Sequence, residues 1–463
     1  MSTFQEAASL YQQGRAPEAQ ALCEEIVRRE PFNVGALHLL GLILYQAGDA
    51  KRGAGLIGQA VDLNPNDALV QSNLAAALTA SGAFAKAIRA ADAAIALNPQ
   101  MARAHSNRDA AIINWAKSLK NDAAVALKTG RMDIAHDALT AALHLAPIDH
   151  DVRVSLGILQ LQRGNYAEGF ANYEARWESG WLNLPQRGFA PPQWSGEDIK
   201  GKTILLHNEQ GYGDALQFAR YAPLVAARGA TVILEVEKAL VPLLKQLPGV
   251  SATIARGDEL PRLDVHAPLI SLPFAFKTTL KNIPASPHYL KADPAKVAAW
   301  AARLGAKARR RIGLTWSGNA GQANDANRSI VLKDFAAALP PGFDYISLQK
   351  DVRPADLEAL RARPDIRHFG DELKDFSDSA ALCELTDEVI TVCTSTAHLA
   401  GALGKPTTVL LCFDPCWRWL LERSDSPWYP SVSLIRQEKP GDWAGVLARV
   451  RDVVAGKGAT TKF

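Results

Sequence analysis

Through the first third of the chain, small and apolar residues recur at helical spacing. In "FAKAIRAADAAIALNP" Ala87, Ala91 and Ala94 share one face and are small enough to let helices approach closely. Beyond about residue 200 the texture changes to short apolar runs separated by helical stretches, the alternation of an α/β region. "TILLH" (Thr203–His207) and "TVILEV" (Thr231–Val236) read as parallel strands flanking a helix, continued by "ATI" and "DVHAPLI". A second series opens at Arg311 with "RIGLTWS", "DYISLQ", "IRHFG", "EVITVC" and "TTVLLC", and "DWAGVLARVRDVV" reads as a closing helix.

The helical third is punctuated. Gly14, Gly48 and Gly82 are 34 residues apart, as are Pro31, Pro65 and Pro99, and each glycine precedes its proline by 17. That is the tetratricopeptide period: glycine ends the first helix of a pair and proline closes the second. Gly130 and Pro147 keep the 17-residue offset, but Pro147 lies 48 residues after Pro99. The 14 extra residues predict one lengthened helix, or a broken one, over 101–129. Gly164 restores the 34-residue step and "YAEGFANYEARW" reads as a last, capping helix. The expected organisation is an α-solenoid over residues 1–180, a Trp- and Pro-rich connector over 181–200, and two Rossmann-like α/β lobes over 201–300 and 301–463 with a cleft between them. Such solenoids present a groove to a peptide or support self-association. Asn73 and Asn107, 34 residues apart, are candidates to bind an extended acceptor backbone because an amide both donates and accepts.

Charge narrows the function classes. With 51 basic and 48 acidic residues the net charge is +3, which argues against nucleic acid as partner. No apolar run reaches membrane-spanning length, the opening residues read as an amphipathic helix rather than a leader, and five scattered cysteines fit a reducing compartment; a cytoplasmic location is expected. Cys412 and Cys416 lack a second ligand pair for a tetrahedral metal site. The sole D-x-D, Asp149 to Asp151, follows a repeat proline and reads as a turn, so no metal is expected.

Three loops carry the candidate chemistry. "NEQGYGDALQF" follows a strand and opens a helix, the setting of a phosphate-binding turn. Gly211 and Gly213 are there, but a dinucleotide fingerprint would need glycine where Leu216 stands, and no Gly-Lys-Ser/Thr follows. Asp214 is either a helix-start aspartate or a carboxylate facing the cleft as general base. In the second lobe, "TWSGNAGQANDANRS" offers Ser317, Gly318, Asn319 and Arg328 to phosphate oxygens, and is otherwise a surface loop. "VCTSTAHLAGALGKP" places Thr394, Ser395 and Thr396 at a helix start, with His398 one turn on: a diphosphate site or an ordinary N-cap.

On these residues, with "LTWSGN", "NDANRSI", "TSTAHLAGALGKPTTVLL" and "WRWLLERSDSPWYPS", the chain resembles bacterial glycosyltransferases that join tetratricopeptide repeats to a heptosyltransferase-like GT-B region, and more distantly the O-linked N-acetylglucosamine transferases. The resemblance implies a nucleotide-diphosphate sugar as donor substrate, no cofactor or metal, and Asp214 as base. It also implies donor contacts at Thr394, Ser395, Thr396, His398, Ser317, Asn319 and Arg328, with Gln349 and Lys350 of "SLQKD" as nucleotide or phosphate contacts. "DSPWY" would lie beside the donor, as recognition or as packing. The acceptor is expected to be a Ser or Thr hydroxyl of a protein, flagellin or another surface protein among the relatives' targets. A glycan or lipopolysaccharide-core acceptor and an inactive repeat adaptor are the alternatives. Cys393 stands where relatives carry an acid thought to hold sugar hydroxyls, which points away from heptose.

Overall fold

The computed structural model describes residues 3–182 and 184–456. Residues 1, 2, 183 and 457–463 of the ranges expected above lie outside the described residues. The chain divides into two compact units, Met1–Arg153 and Val154–Phe463.

In the first unit the punctuation works as its chemistry dictates. Gly14, Gly48, Gly82 and Gly130 each sit in the turn inside a helix pair with positive φ, between 72° and 95°, a conformation open to glycine at no steric cost. The pairs are Phe4–Gln12 with Ala16–Arg29, Val34–Gln46 with Ala50–Leu63, Ala68–Ala80 with Phe84–Leu97, and Ala102–Lys128 with Met132–Leu145. Pro31, Pro65 and Pro99 fall just beyond the second helices, and Asn33 and Asp67 cap the helices that follow. The lengthened helix is one unbroken 27-residue element, Ala102–Lys128. Asp149 caps the next helix, His150–Gln162, its carboxylate accepting from the Val152 amide at 3.0 Å, and Asp151 meets Lys120 at 3.4 Å. The D-x-D is thus a helix start.

The second unit begins inside His150–Gln162 and includes Tyr166–Tyr173. Two parallel sheets follow. Strands β1 (Thr203–His207), β2 (Thr231–Val236), β3 (Val250–Ala255) and β4 (Val265–Pro268) lie in the order β3-β2-β1-β4. Strands β5 (Arg311–Thr315), β6 (Asp344–Ser347), β7 (Ile366–His368), β8 (Glu388–Val392), β9 (Thr407–Leu411) and β10 (Val432–Arg436) lie in the order β10-β9-β8-β5-β6-β7. Every residue of β5, β8 and β9 is buried, which is why these strands read as continuous apolar runs. In both sheets the chain builds outward from its first strand and then jumps to the other side, leaving switch points between β1 and β4 and between β5 and β8. The crevice at the carboxyl end of such a switch point is where doubly wound sheets bind ligands. The Trp- and Pro-rich connector is pinned to β4: the Trp194 amide donates to the His266 carbonyl at 2.7 Å, and its indole is buried.

Candidate functional site

The loop after β1 and the loops after β5 and β8 meet. Gly211 opens the Tyr212–Phe218 helix in extended conformation, and its N–H donates to Asp214 Oδ2 at 2.9 Å. Asp214 is therefore the helix-start aspartate of one reading, and it also faces the second lobe, where Arg418 donates to its Oδ1. Gly213 is the contact point: a β-carbon there would stand 2.8 Å from His398 Cδ2 and 3.6 Å from Ser395 Cα. The glycine lets the first lobe's acid-bearing helix sit directly on the start of the Ser395–Ala402 helix, at the β5/β8 switch point.

On the second lobe Thr394 caps that helix, its hydroxyl accepting from the Thr396 amide at 3.3 Å, and Thr396 Oγ1 lies 3.3 Å from Thr315 Oγ1 at the end of β5. Thr394, Ser395 and Thr396 are half-buried. His398 is buried, with Nδ1 2.9 Å from the Tyr429 hydroxyl and its ring stacked on Trp419 at 5.4 Å. Burial, then the nearby Arg418 and Arg220, hold its pKa well below the ordinary range, so it is a neutral ring.

The facing loop is braced from within. Gln349 Nε2 donates to the Ser317 carbonyl at 3.0 Å and hydroxyl at 3.1 Å, so it fixes the loop's backbone. The Gly318 amide donates to Ser329 Oγ at 3.0 Å, and Arg353 donates to the Gly318 carbonyl and the buried Asp325. Asn319 is exposed and turns back onto the Gly321 amide. Arg328 donates to the Cys393 carbonyl at 3.0 Å, joining the two loops, while Lys350 donates to the Leu373 carbonyl. Cys393 accepts from Trp419 Nε1 at 3.1 Å, and burial pushes its thiol up to about 12, so it is a neutral acceptor where an acid would carry charge.

Two groups at this junction lie inside the quoted motifs but were not expected at the site. Arg418 is buried; besides Asp214 it donates to Gln217 Oε1 at 2.7 Å and Cys416 Sγ at 2.9 Å, with its guanidinium 4.3 Å from the Trp417 ring centre. Burial works against its charge, and the Asp214 carboxylate together with Cys416 and Tyr173 more than restores it. Glu209, in the same loop as Asp214, meets the fully buried Arg176 at 3.0 Å. Arg176 also bonds Glu174 at 2.6 Å and Ser271 at 2.7 Å. Burial raises Glu209 to about 7 against the pull of Arg176, which shares its charge with Glu174. "DSPWY" is packing in its aromatic part: Trp428 Nε1 donates to Tyr166 at 2.9 Å, and both Trp428 and Tyr429 are buried around Arg220.

In the solenoid, the Asn73 amide lies 2.9 Å from His38 Nε2 and is buried, and Asn107 Nδ2 donates to the Ser72 carbonyl at 2.8 Å. Both amides tie neighbouring repeats together. Asn107 also lines a groove of about 440 Å³ with Tyr45, Thr79, Phe84 and Asn114. Among the described residues no cluster of three or more His, Cys, Asp or Glu has the arrangement of a metal site, and no helix is long and apolar enough to cross a membrane.

The tetratricopeptide repeat family matches residues 4–68, 38–102 and 123–180, leaving out residues 103–122, most of the lengthened helix. The helical repeats are tetratricopeptide repeats. Protein FlbA of Caulobacter vibrioides is 28% identical over 368 residues, 73% of this chain and 61% of that protein, so the match spans less than two thirds of FlbA. Among solved structures, a family 9 glycosyl transferase from Veillonella parvula is similar over 57% of this chain and 97% of its own, at 9% identity and a TM-score of 0.42. A thermophilic TPR protein of Thermus thermophilus is similar over 39% of this chain and 91% of its own, at 21% identity and a TM-score of 0.22.

Proposed function

We propose that the protein is an inverting, metal-independent glycosyltransferase of the GT-B type, which moves a sugar from a nucleotide-diphosphate sugar to a Ser or Thr hydroxyl of a protein. The observation that carries this reading is the junction at Gly213, where the loop bearing Asp214 abuts the Ser395–Ala402 helix at a switch point. The motifs quoted for the family resemblance fall on the loops that form this junction. In this reading Asp214 takes the acceptor proton, and the amides and hydroxyls at Thr394, Ser395 and Thr396 offset charge on the departing diphosphate. The tetratricopeptide repeats select the acceptor, a role their groove suits, and the chain acts in the cytoplasm.

The test is a thermal-shift screen of nucleotide-sugars on the full chain, followed by transfer of labelled sugar. A donor that binds only the folded state at 100 times its Kd adds about 2.7 kcal/mol of stability. Label on protein supports the stated acceptor, whereas label on carbohydrate supports the glycan alternative. Nucleotide binding without transfer would favour a repeat adaptor, a reading to which Cys393 in place of an acid lends weight.

A further inference from the structure

Both oxygens of Asp214 are engaged. Oδ2 accepts from the Gly211 N–H and Oδ1 from Arg418, so an acceptor hydroxyl reaching for this carboxylate competes with a guanidinium. The two cations expected to meet a diphosphate are also engaged, Arg328 with the Cys393 carbonyl and Lys350 with the Leu373 carbonyl. Arg418 stands beside the same loops: it is on the second lobe, buried against the Tyr212–Phe218 helix through Asp214 and Gln217 and next to the Cys416 thiol, and the adjoining Trp419 stacks on His398 and donates to Cys393. Asp214 is the one carboxylate in its bonding set among the described residues. A diphosphate offers more negative charge and a bidentate face, to which a guanidinium is well matched.

We propose that the Arg418–Asp214 ion pair is a latch on the base: the donor's diphosphate draws Arg418 onto itself and thereby releases Asp214 for the acceptor proton. This rests on the glycosyltransferase reading and adds Arg418 to the donor site. It couples the two halves of the reaction through one guanidinium, so that the base is uncovered only where a leaving diphosphate is already held. Asp214 and the diphosphate are then competitors for one cation, and competition has a signature that simple support does not.

Calorimetry on the full chain with UDP, GDP, ADP, CDP and dTDP, and with inorganic pyrophosphate, tests this. Asp214→Asn removes the charged competitor and keeps an oxygen for the Gly211 amide; the proposal expects it to bind the preferred nucleoside diphosphate several-fold more tightly than the unaltered protein. Arg418→Gln is expected to weaken binding by about tenfold or more, the lower range for a charge-assisted bond, with Arg418→Lys between the two. Thermal melts confirm that each variant is folded, and Asp214→Asn decides the matter if Arg418→Gln is not. Equal or weaker binding by Asp214→Asn overturns the latch, as does unchanged binding by folded Arg418→Gln. Failure of every nucleoside diphosphate to bind the unaltered protein overturns the glycosyltransferase reading, and the latch with it.

Discussion

At Gly213 one methyl group is enough to disturb the junction of the two lobes. The β-carbon of Gly213→Ala would meet the His398 ring at 2.8 Å, and that ring is held by Tyr429 on one edge and Trp419 on its face, so it has nowhere to go. Overpacking of this kind costs about 1–3 kcal/mol, which urea unfolding of the variant should show. Glu209 gives a pH signature. Its folded pKa, about 7, lies above the ordinary value of 4.5, so folding favours its protonated form. That contribution is complete below about 4.5 and is lost as pH rises through 7. Glu209→Gln removes the titration, so the stability difference between variant and parent should move in the variant's favour from pH 5 to 8, by at most ~1.4 kcal/mol per pH unit. A difference that stays flat across this range would mean that the carboxyl does not titrate there. Arg176, Glu174 and Asp214 are the charged groups that act on it.

Among the elements, the helix pairs of the solenoid show how spacing alone sets geometry. Gly41 and Gly53 let Val34–Gln46 and Ala50–Leu63 touch backbone to backbone: a β-carbon on Gly41 would fall 2.8 Å from the Gly53 carbonyl oxygen. Gly55, in the same helix as Gly53, has open space around its α-carbon. Gly41→Ala should therefore destabilise the first unit by about 1–3 kcal/mol, while Gly55→Ala should stabilise it by about 0.5–1 kcal/mol, measured by chemical denaturation. The repeats and nine of the strand runs were legible because each depends on residues close in sequence: a glycine at a left-handed turn, a proline past a helix end, a short run of apolar and β-branched residues. β10 was not named, since in "VSLIR" the half-buried Ser433 and Arg436 interrupt the apolar run. The Gly213 loop and the Thr394 cap were legible as helix starts for the same local reason. The pairing of Asp214 with Arg418, 204 residues away, was not, because no local pattern marks which arginine a fold will bring to a given carboxylate. Arg328 and Lys350 were recognised as cations, but their bonds to the Cys393 and Leu373 carbonyls are likewise set by tertiary structure.

For the whole molecule, the division between units carries a consequence for shortening the chain. The sequence places the end of the repeats near residue 180, but the Tyr166–Tyr173 helix and the turn after it pack into the core of the second unit. Tyr166 accepts from the Trp428 indole, Phe170 lies 5.5 Å from Trp417, and Arg176 donates to Glu209 in the Asp214 loop. A chain cut to 181–463 loses these partners together. It opens an aromatic core to water and takes Arg176 away from Glu209, and losing even one large buried aromatic side chain costs about 3–5 kcal/mol. That is a large share of the 5–15 kcal/mol by which a domain is typically stable, so residues 181–463 should be insoluble or bind a hydrophobic dye as a loosened core does. A chain beginning at His150 keeps Tyr166, Phe170 and Arg176 and should unfold cooperatively in urea. Because Gly213, Asp214, Arg418 and the Thr394 cap all lie within Val154–Phe463, the nucleoside diphosphate that the full protein prefers should raise the melting temperature of this shorter chain too. Cooperative unfolding of 181–463 with the same ligand response would show that the last repeat helices contribute nothing to the site.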